Sequence, residues 1–443
     1  MIYILVSFLG IMTYYVFSVQ KDIISPAFVF CIVFWISGIN VLTNINVLDV
    51  RFSPTTVIVV MMGTIAFLIG TLIVSNVRFK FWKICIKGRK KTIYRKFLTE
   101  KLLVLLIFNV ASITYILREV YTMTVQKAFY RGNILGALSV YAEVSKFSSI
   151  DMKVSTISTL LTALCEAEGY VLGYVVVYNL VYKKKNKKLL LLCFITAFIS
   201  TFCQGSRGGI FMILASVIEY IIIYREKRGS TRIGVKTIKN LFIFLCVAVV
   251  IFQLYGVISG KNWDVSVYEY LSVYLGDPLI NLNTKISMGI ERTKMYGICS
   301  FNPLLSNILP KLHIAIPKYT GLSQFQYSGS HNLGNVYTIF AYLIADFGYI
   351  GMIIAMFIIG MIGQIIYQFA KKSNSNEIFS RILYGYFLTC IAFSFFSNKI
   401  CENVNIYHVY MFAFVFLFAM NFQLDLKKYE LLIFPTSKTD MNS

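Results

Sequence analysis

The chain alternates between long apolar runs and short stretches rich in lysine and arginine. A helix needs about 20 apolar residues to cross the hydrocarbon core of a bilayer, where backbone groups must hydrogen-bond within the protein. Such runs occur about eleven times and predict an all-α polytopic integral membrane protein. The predicted spans are Ile2–Val19, Pro26–Leu42, Thr55–Val77, Leu102–Leu117, Ser155–Tyr182, Leu189–Cys203, Ile210–Tyr224, Leu241–Ser259, Tyr349–Ala370, Ile378–Phe396 and Ile406–Phe422.

One stretch, Gly260–Asn335, breaks this pattern because it is polar and contains several prolines. The apolar run that follows, Val336–Phe347, has about a dozen residues and is too short to cross a bilayer. It predicts a short or re-entrant helix at the outer surface, ended by Gly348. The chain therefore divides into N-terminal spans with basic loops at 1–259, a large external loop with short helices at 260–348, and C-terminal spans with a tail at 349–443.

Composition supports this interpretation, because 57% of the residues are hydrophobic, 14% are charged and the mean hydropathy is +0.70. The formal net charge of +22 would suggest nucleic acid as the partner of a soluble chain. Here the cations lie in short loops between spans, a pattern typical of cytoplasmic loops, so we expect no nucleic-acid partner. The basic stretches are Arg78–Lys101, Lys183–Lys188, Arg225–Lys239, Lys371–Lys372 and Lys427–Lys428. Alternating spans then place the loop Arg118–Lys153, the turn at Arg207 and the large loop on the opposite, outer side.

A glycine-rich turn, Gln-Gly-Ser-Arg-Gly-Gly, separates two predicted spans and carries Arg207. Glycines let a backbone approach a ligand closely, and the amides of a following helix together with a guanidinium can hold a phosphate. We therefore predict that Gly205, Ser206, Arg207 and Gly208 bind substrate. The alternative is a tight helical hairpin whose arginine reaches the lipid headgroups.

Two carboxylates, Glu166 and Glu168, interrupt the fifth predicted span. Ionisable groups within a span are costly and by default face the interior of the bundle or a cavity. A spacing of two places them on different faces of a helix, so at most one points toward the Arg207 turn. Glu166 is a candidate catalytic residue; the alternative is that one carboxylate pairs with an arginine and the other lies at the interface.

The large loop offers two further candidates for substrate binding. Asp277 follows a strip of tyrosines, a combination that suits sugar faces but also marks membrane interfaces. Arg292 is a candidate second ligand for an anion.

The end of the loop, Ser-Gly-Ser-His-Asn-Leu-Gly-Asn, carries a histidine beside a glycine-rich turn. His331 can accept a proton near neutral pH and is a candidate general base, with Asn332 as a substrate contact. Asp346, at the end of the short helix, is a candidate substrate contact; alternatively it caps the helix, pairs locally or holds an arginine of the site in position. We find no Ser/His/Asp arrangement, P-loop or HExxH motif and no metal-binding DxD pattern, so we expect no metal or other cofactor.

Three segments, VYLGDPLINLN, GICSFNPLL and HNLGNVYTIFAYLIADFGYIGMI, resemble in order the run found in the O-antigen polymerases, the oligosaccharide repeat-unit polymerases of the bacterial envelope. Upstream, GSRGGIF resembles the arginine-bearing turn of that family. The similarity covers about Gly205–Ile353, and the flanking spans agree in hydropathy alone.

This resemblance implies a metal-independent glycosyltransferase of the C-type (GT-C) architecture in the bacterial inner membrane. Such enzymes transfer a glycan from undecaprenyl pyrophosphate to the non-reducing end of an incoming lipid-linked repeat unit on the periplasmic face, and a partner protein regulates chain length. The product would be O-antigen or a capsule-like polysaccharide. By this resemblance Arg207 binds the pyrophosphate and Arg292 is a second ligand, whereas His331 and Glu166 are candidates from the residues alone.

Two alternatives remain open. An O-antigen ligase shares the donor, topology and large external loop but transfers the glycan to the lipid A core. A flippase or other transporter of lipid-linked oligosaccharides belongs to a different class, and predicts charged residues along several spans and short external loops.

Overall fold

We describe a computed structural model of the chain over residues 1–48, 50–76, 99–148, 150, 152–181, 188–203, 208–227, 272, 274–317, 319, 321–322, 324–329, 331–372 and 378–418. The helices in this part of the chain are α1 (Ile2–Gln20), α2 (Pro26–Leu48), α3 (Pro54–Asn76), α4 (Thr99–Ala128), α5 (Ile134–Phe147), α6 (Thr156–Val181), α7 (Lys188–Ser200), α8 (Gly208–Lys227), α9 (Asp277–Met288), α10 (Asn302–Ile308), α11 (Ile339–Lys372), α12 (Ile378–Ala392), α13 (Lys399–Glu402) and α14 (Ile406–Phe418). Short 3-10 turns follow α10 at Leu309–Leu312 and α12 at Phe393–Phe395, and a hairpin consists of β1 (Gln326–Ser328) and β2 (His331–Gly334).

Six of these helices, α1, α2, α3, α4, α6 and α11, are long and apolar enough to cross a membrane. They confirm the prediction of an all-α membrane protein that crosses the bilayer several times. The number of eleven spans stays a prediction, because α7, α8, α12 and α14 are shorter apolar helices and the predicted span Leu241–Ser259 lies outside the described residues. The division of the chain at 259 and 348 also stays a prediction.

The prediction of a loop at Arg118–Lys153 is wrong over much of its length. The α4 helix continues to Ala128, and α5 follows after a short turn, with Asn133 Oδ1 accepting a hydrogen bond from the Gly136 amide at 2.8 Å. Charged residues such as Arg118 and Glu119 end the apolar run without ending the helix, because both are good helix formers. The fall in hydropathy at Arg118 therefore marks the end of the apolar surface of α4, and the helix itself continues to Ala128.

The chain divides into two compact units. Unit 1 comprises Met1–Phe81, Val235–Lys372 and Leu383–Val409, and unit 2 comprises Trp82–Gly234, Ser373–Ile382 and Tyr410–Ser443. Because both units contain segments from distant parts of the sequence, neither corresponds to one stretch of the chain.

In unit 1, α11 packs lengthwise against α3 at van der Waals distance between backbones. A Cβ atom added to Gly70 would lie 2.2 Å from the Phe357 carbonyl oxygen, and one added to Gly360 would lie 2.2 Å from that of Phe67. Small residues allow membrane helices to approach this closely and gain dispersion contacts. Each helix therefore presents a glycine to the other's main chain.

One end of unit 1 is held together by polar contacts between α11 and the start of the chain. Lys371 Nζ lies 2.7 Å from Asp22 Oδ2 in the turn between α1 and α2, and Tyr367 Oη donates to the same carboxylate oxygen. Gln368 Nε2 donates to the Val74 carbonyl at 2.9 Å, near the end of α3. This end of α11 is thus fixed to α3 and to the turn that joins α1 and α2.

In unit 2, α6 is the central helix and packs against α4, α7 and α8. Most of its side chains are buried, including those of Glu166 and Glu168. A carboxylate from α4, Glu119, holds the start of α6, since it accepts hydrogen bonds from the Ser155 amide at 2.6 Å, the Ser155 hydroxyl at 2.9 Å and the Ser158 hydroxyl. A negative charge beside free amides stabilises the N-terminus of a helix.

Candidate functional site

The helix α9 joins the β hairpin of unit 1 to its membrane helices. Asn281 is fully buried and donates from Nδ2 to the carbonyl oxygens of Leu333 and Val336, both at 3.0 Å. Asn283 Nδ2 donates to the Arg51 carbonyl at 3.0 Å, and its Oδ1 accepts from the Ser53 amide at 2.9 Å. Hence α9 fixes the β2 strand on one side and the connection between α2 and α3 on the other.

Asp277 is the first residue of α9 and is only 3% exposed. The preceding residue, Gly276, packs closely against α2, because a Cβ added there would lie 2.4 Å from Asn40 Oδ1. No hydrogen bond or ion pair to the Asp277 carboxylate is found within the described part of the chain, and burial raises its pKa to about 7. A carboxyl group that titrates near neutral pH can accept or donate a proton in a reaction.

Asp346 is also fully buried, and its carboxylate binds the segment 293–300. One oxygen accepts from the Cys299 amide and the Thr293 hydroxyl, each at 3.0 Å, and the other accepts from the Ser300 amide at 2.6 Å. These contacts use both carboxylate oxygens within the protein, which is the local pairing expected of Asp346, and its role as a substrate contact stays a prediction. The bonds to Cys299 and Ser300 tie the loop to α11.

Arg292 is exposed and lies over the break in α11. Gly348 has φ 73° and ψ −177°, so the helix is interrupted where the sequence predicted its end. The guanidinium lies against this glycine, because a Cβ added there would be 2.2 Å from Arg292 Nη1, and Nη2 donates to the Asp346 carbonyl oxygen at 3.3 Å. The Asp346 main chain therefore holds Arg292 beside the break, whereas a role for the Asp346 carboxylate in orienting an arginine of the site stays a prediction.

His331 and Asn332 lie on the β2 strand and are both exposed. The hairpin pairs His331 with Ser328 and Asn332 with Tyr327, and Asn332 Oδ1 accepts from the Gly334 amide at 2.8 Å. Solvent can reach both side chains. Their roles as general base and substrate contact stay predictions.

In unit 2 the two carboxylates of α6 point to different neighbours, as their spacing predicts. Glu166 lies beside the start of α8, where a Cβ added to Gly209 would be 3.8 Å from Glu166 Oε1, and the Tyr170 hydroxyl is 3.5 Å from the same oxygen. Glu168 Oε1 instead accepts from Asn109 Nδ2 of α4 at 3.1 Å. Of the two, Glu166 is therefore the one next to the glycine-rich turn.

Gly208 is exposed and begins α8, while Gly205, Ser206 and Arg207 lie outside the described residues. Their predicted role in binding pyrophosphate stays a prediction.

Sequence reasoning missed several residues that matter here. Thr293 and the amides of Cys299 and Ser300 give no signal, since any residue supplies an amide and contact with Asp346 depends on the tertiary fold. Arg381 did give a signal, an arginine close to the start of an apolar helix. It is fully buried in unit 2, where Nη1 donates to the Tyr174 hydroxyl at 2.7 Å and the guanidinium carbon lies 5.8 Å from the centre of the Tyr224 ring.

Within the described residues no group of three or more His, Cys, Asp or Glu side chains is arranged to hold a metal ion. Comparison of the chain with known protein families, with curated proteins and with solved structures finds no match.

Proposed function

We propose that this protein is a membrane glycosyltransferase that extends a polyprenyl-pyrophosphate-linked glycan, with its external segment facing the periplasm of a bacterial inner membrane. The donor and acceptor are both lipid-linked oligosaccharides, the architecture is GT-C-like with about eleven spans, and a separate protein sets the chain length. The family resemblance over Gly205–Ile353 suggested this reaction.

The observation that carries the proposal is the placement of Arg292. The residue is exposed, and its guanidinium lies at the break between the two halves of a membrane helix, where the Asp346 main chain holds it. A lipid-linked diphosphate carries its negative charge between the hydrocarbon core and water, and in this proposal Arg292 lies at that level. An arginine binds such a group with two parallel hydrogen bonds and stabilises charge that develops on it.

Every bond and proton of the proposed transfer is accounted for. A hydroxyl of the acceptor sugar attacks the anomeric carbon of the donor glycan; a C–O bond forms while the bond from that carbon to the diphosphate oxygen breaks. The lipid diphosphate leaves with the bonding electrons, and a base takes the hydroxyl proton. His331 and Glu166 remain the proposed bases, Asp277 and Asn332 are proposed sugar contacts, and Arg207 is the proposed ligand of the donor diphosphate.

The test is chain extension by purified protein in vesicles supplied with lipid-linked repeat units. Arg207→Ala and Arg292→Ala are each expected to reduce extension strongly, because loss of a charge-assisted bidentate contact costs several kcal/mol, and Arg207→Ala is expected to abolish it. Lys311→Ala serves as the matched control, since Lys311 is an exposed cation of the same external segment. Wild-type polymer length in both arginine variants, with normal membrane insertion, would overturn the proposal.

Two further experiments separate the alternatives. A deletion strain lacking a polymerase carries single repeat units on the lipid A core, whereas one lacking a ligase carries none. Vesicles that translocate lipid-linked repeats without lengthening them would identify a transporter.

A further inference from the structure

The second half of α11 has one side buried in the protein and one side exposed along its length. Met352, Met356 and Ile359 are buried, on the side that packs against α3. On the other side Ile350, Ile354, Ile358 and Ile362 are 76%, 55%, 47% and 43% exposed. A spacing of four places these isoleucines in one stripe, and an exposed apolar stripe on a helix long enough to cross a bilayer faces lipid.

The external segment continues this stripe beyond the break at Gly348. The ring of Tyr296 stacks on that of Phe347, with centroids 6.4 Å apart and planes inclined by 2°. Tyr296 is nevertheless 75% exposed, and Tyr349 beside it is 43% exposed. An aromatic surface thus extends from the isoleucine stripe onto the loop.

The backbone of the loop is fixed at this position, and its side chains alternate in direction. Thr293 faces α11, where its amide donates to the Ala345 carbonyl at 3.0 Å and its hydroxyl to Asp346. Arg292, Lys294 and Tyr296 are exposed. Lysine and tyrosine at the end of an apolar stripe are typical of the headgroup layer of a membrane. The tyrosine ring lies at the boundary of the hydrocarbon core, and the lysine ammonium lies among the lipid phosphates.

We propose that Lys294, Tyr296, Tyr349 and Ile350, the interface patch, dock the external segment onto the anionic phospholipid surface of the bilayer in which the protein sits. Two observations favour lipid over a protein partner: the patch continues the lipid-facing stripe of α11, and the ammonium group of Lys294 complements anionic headgroups. The segment is thus held down on the membrane at Tyr296 as well as being bonded to Asp346. This proposal goes beyond the transferase reaction and does not depend on it.

Photo-crosslinking of the full-length protein in vesicles tests the patch. A benzoyl-phenylalanine residue replaces Tyr296 in one variant, Ile354 in a second as the reference within the stripe, and Tyr327 in a third. Tyr327 is the matched control, since it is a 63% exposed tyrosine of the same external segment, on the hairpin. Lipid adducts identified by mass spectrometry are expected at 296 in a yield similar to that at 354 and several-fold above that at 327. A yield at 296 no higher than at 327, or adducts at 296 with protein alone, would overturn the proposal.

The charge of the patch is tested with vesicles of phosphatidylcholine, with and without phosphatidylglycerol. Phosphatidylglycerol is expected to be enriched among the adducts at 296, and Lys294→Glu is expected to lower that enrichment about fivefold or more, because each cation near an anionic surface contributes about 1 kcal/mol. Lys294→Gln, which removes the charge without reversing it, is expected to lie between the two and guards against misfolding of the glutamate variant. The same adduct composition in all three proteins would show that the surface is not selected by charge.

Discussion

Arg292 and Asp346 are joined by a hydrogen bond from a guanidinium Nη2 to a main-chain oxygen at 3.3 Å, while the carboxylate of Asp346 is occupied by Thr293, Cys299 and Ser300. One residue therefore fixes the start of the 292–300 segment through its backbone and the end through its side chain. The exposed cation of Arg292 owes its position to these buried contacts.

Asp346→Ala is expected to destabilise unit 1 by about 3 kcal/mol or more, because it leaves three buried or half-buried donors without their charged acceptor. The thermal unfolding midpoint of the purified protein measures this loss, and limited trypsin digestion measures the release of the segment at Arg292 and Lys294. Glu291→Gln is the control, since Glu291 is exposed and its change is expected to stay within about 0.5 kcal/mol. Equal midpoints and equal digestion rates for the two variants would contradict the positioning role of Asp346.

The buried carboxyl of Asp277 is expected to make stability fall as pH rises. Burial raises its pKa from 3.8 to about 7, so the folded protein binds more protons than the unfolded chain between those values. The contribution is fully present below about pH 4 and is lost by about pH 7, with a size of at most about 4 kcal/mol. Asp277→Asn keeps the shape without the ionisation, so its stability relative to the wild type is expected to rise across this range. Parallel stability curves for the two proteins would show that this carboxyl is not buried in solution.

Asn281→Leu is expected to loosen the hairpin that carries His331. It keeps a similar volume but leaves the carbonyls of Leu333 and Val336 without a donor, at a cost of about 2 kcal/mol or more. Hydrogen exchange is expected to become faster at residues 331–336 and to change little in α3. Asn307→Ala, at an exposed asparagine of α10, is the control and is expected to leave both unchanged. Unchanged exchange at 331–336 in Asn281→Leu would show that the hairpin is held by other contacts.

The positions of the long apolar helices were predictable from the sequence, because hydrophobicity alone determines them. Runs such as Ile2–Val19 and Thr55–Val77 lie within one residue of α1 and α3 at both ends, because the apolar side chains that require a bilayer also form the helix. Gly348 was predictable as a break because glycine adopts the positive φ found there with little strain.

The remaining features depend on contacts between distant segments. The amides that bind Asp346 come from a turn 46 and 47 positions away in the chain, and nothing in the local sequence marks them as its partners. The polar run at Arg118 looked like a loop, but Arg118 and Glu119 are good helix formers, and the local sequence does not mark the contact of Glu119 with the start of α6. The raised pKa of Asp277 results from its burial in the folded protein, and the spacing of residues along the sequence does not show how buried a side chain is.

The glycine contact between α3 and α11 bears on how the protein is made. A ribosome delivers the chain from the N-terminus, so α3 enters the membrane long before α11 exists, and most of unit 2 is synthesised between them. During that interval the face of α3 around Gly70 lacks the helix that packs against it in the folded protein. The yield of correctly assembled protein therefore depends on whether that face binds other helices before α11 is made. A bulkier residue in place of Gly70 would act first at this stage, during biogenesis.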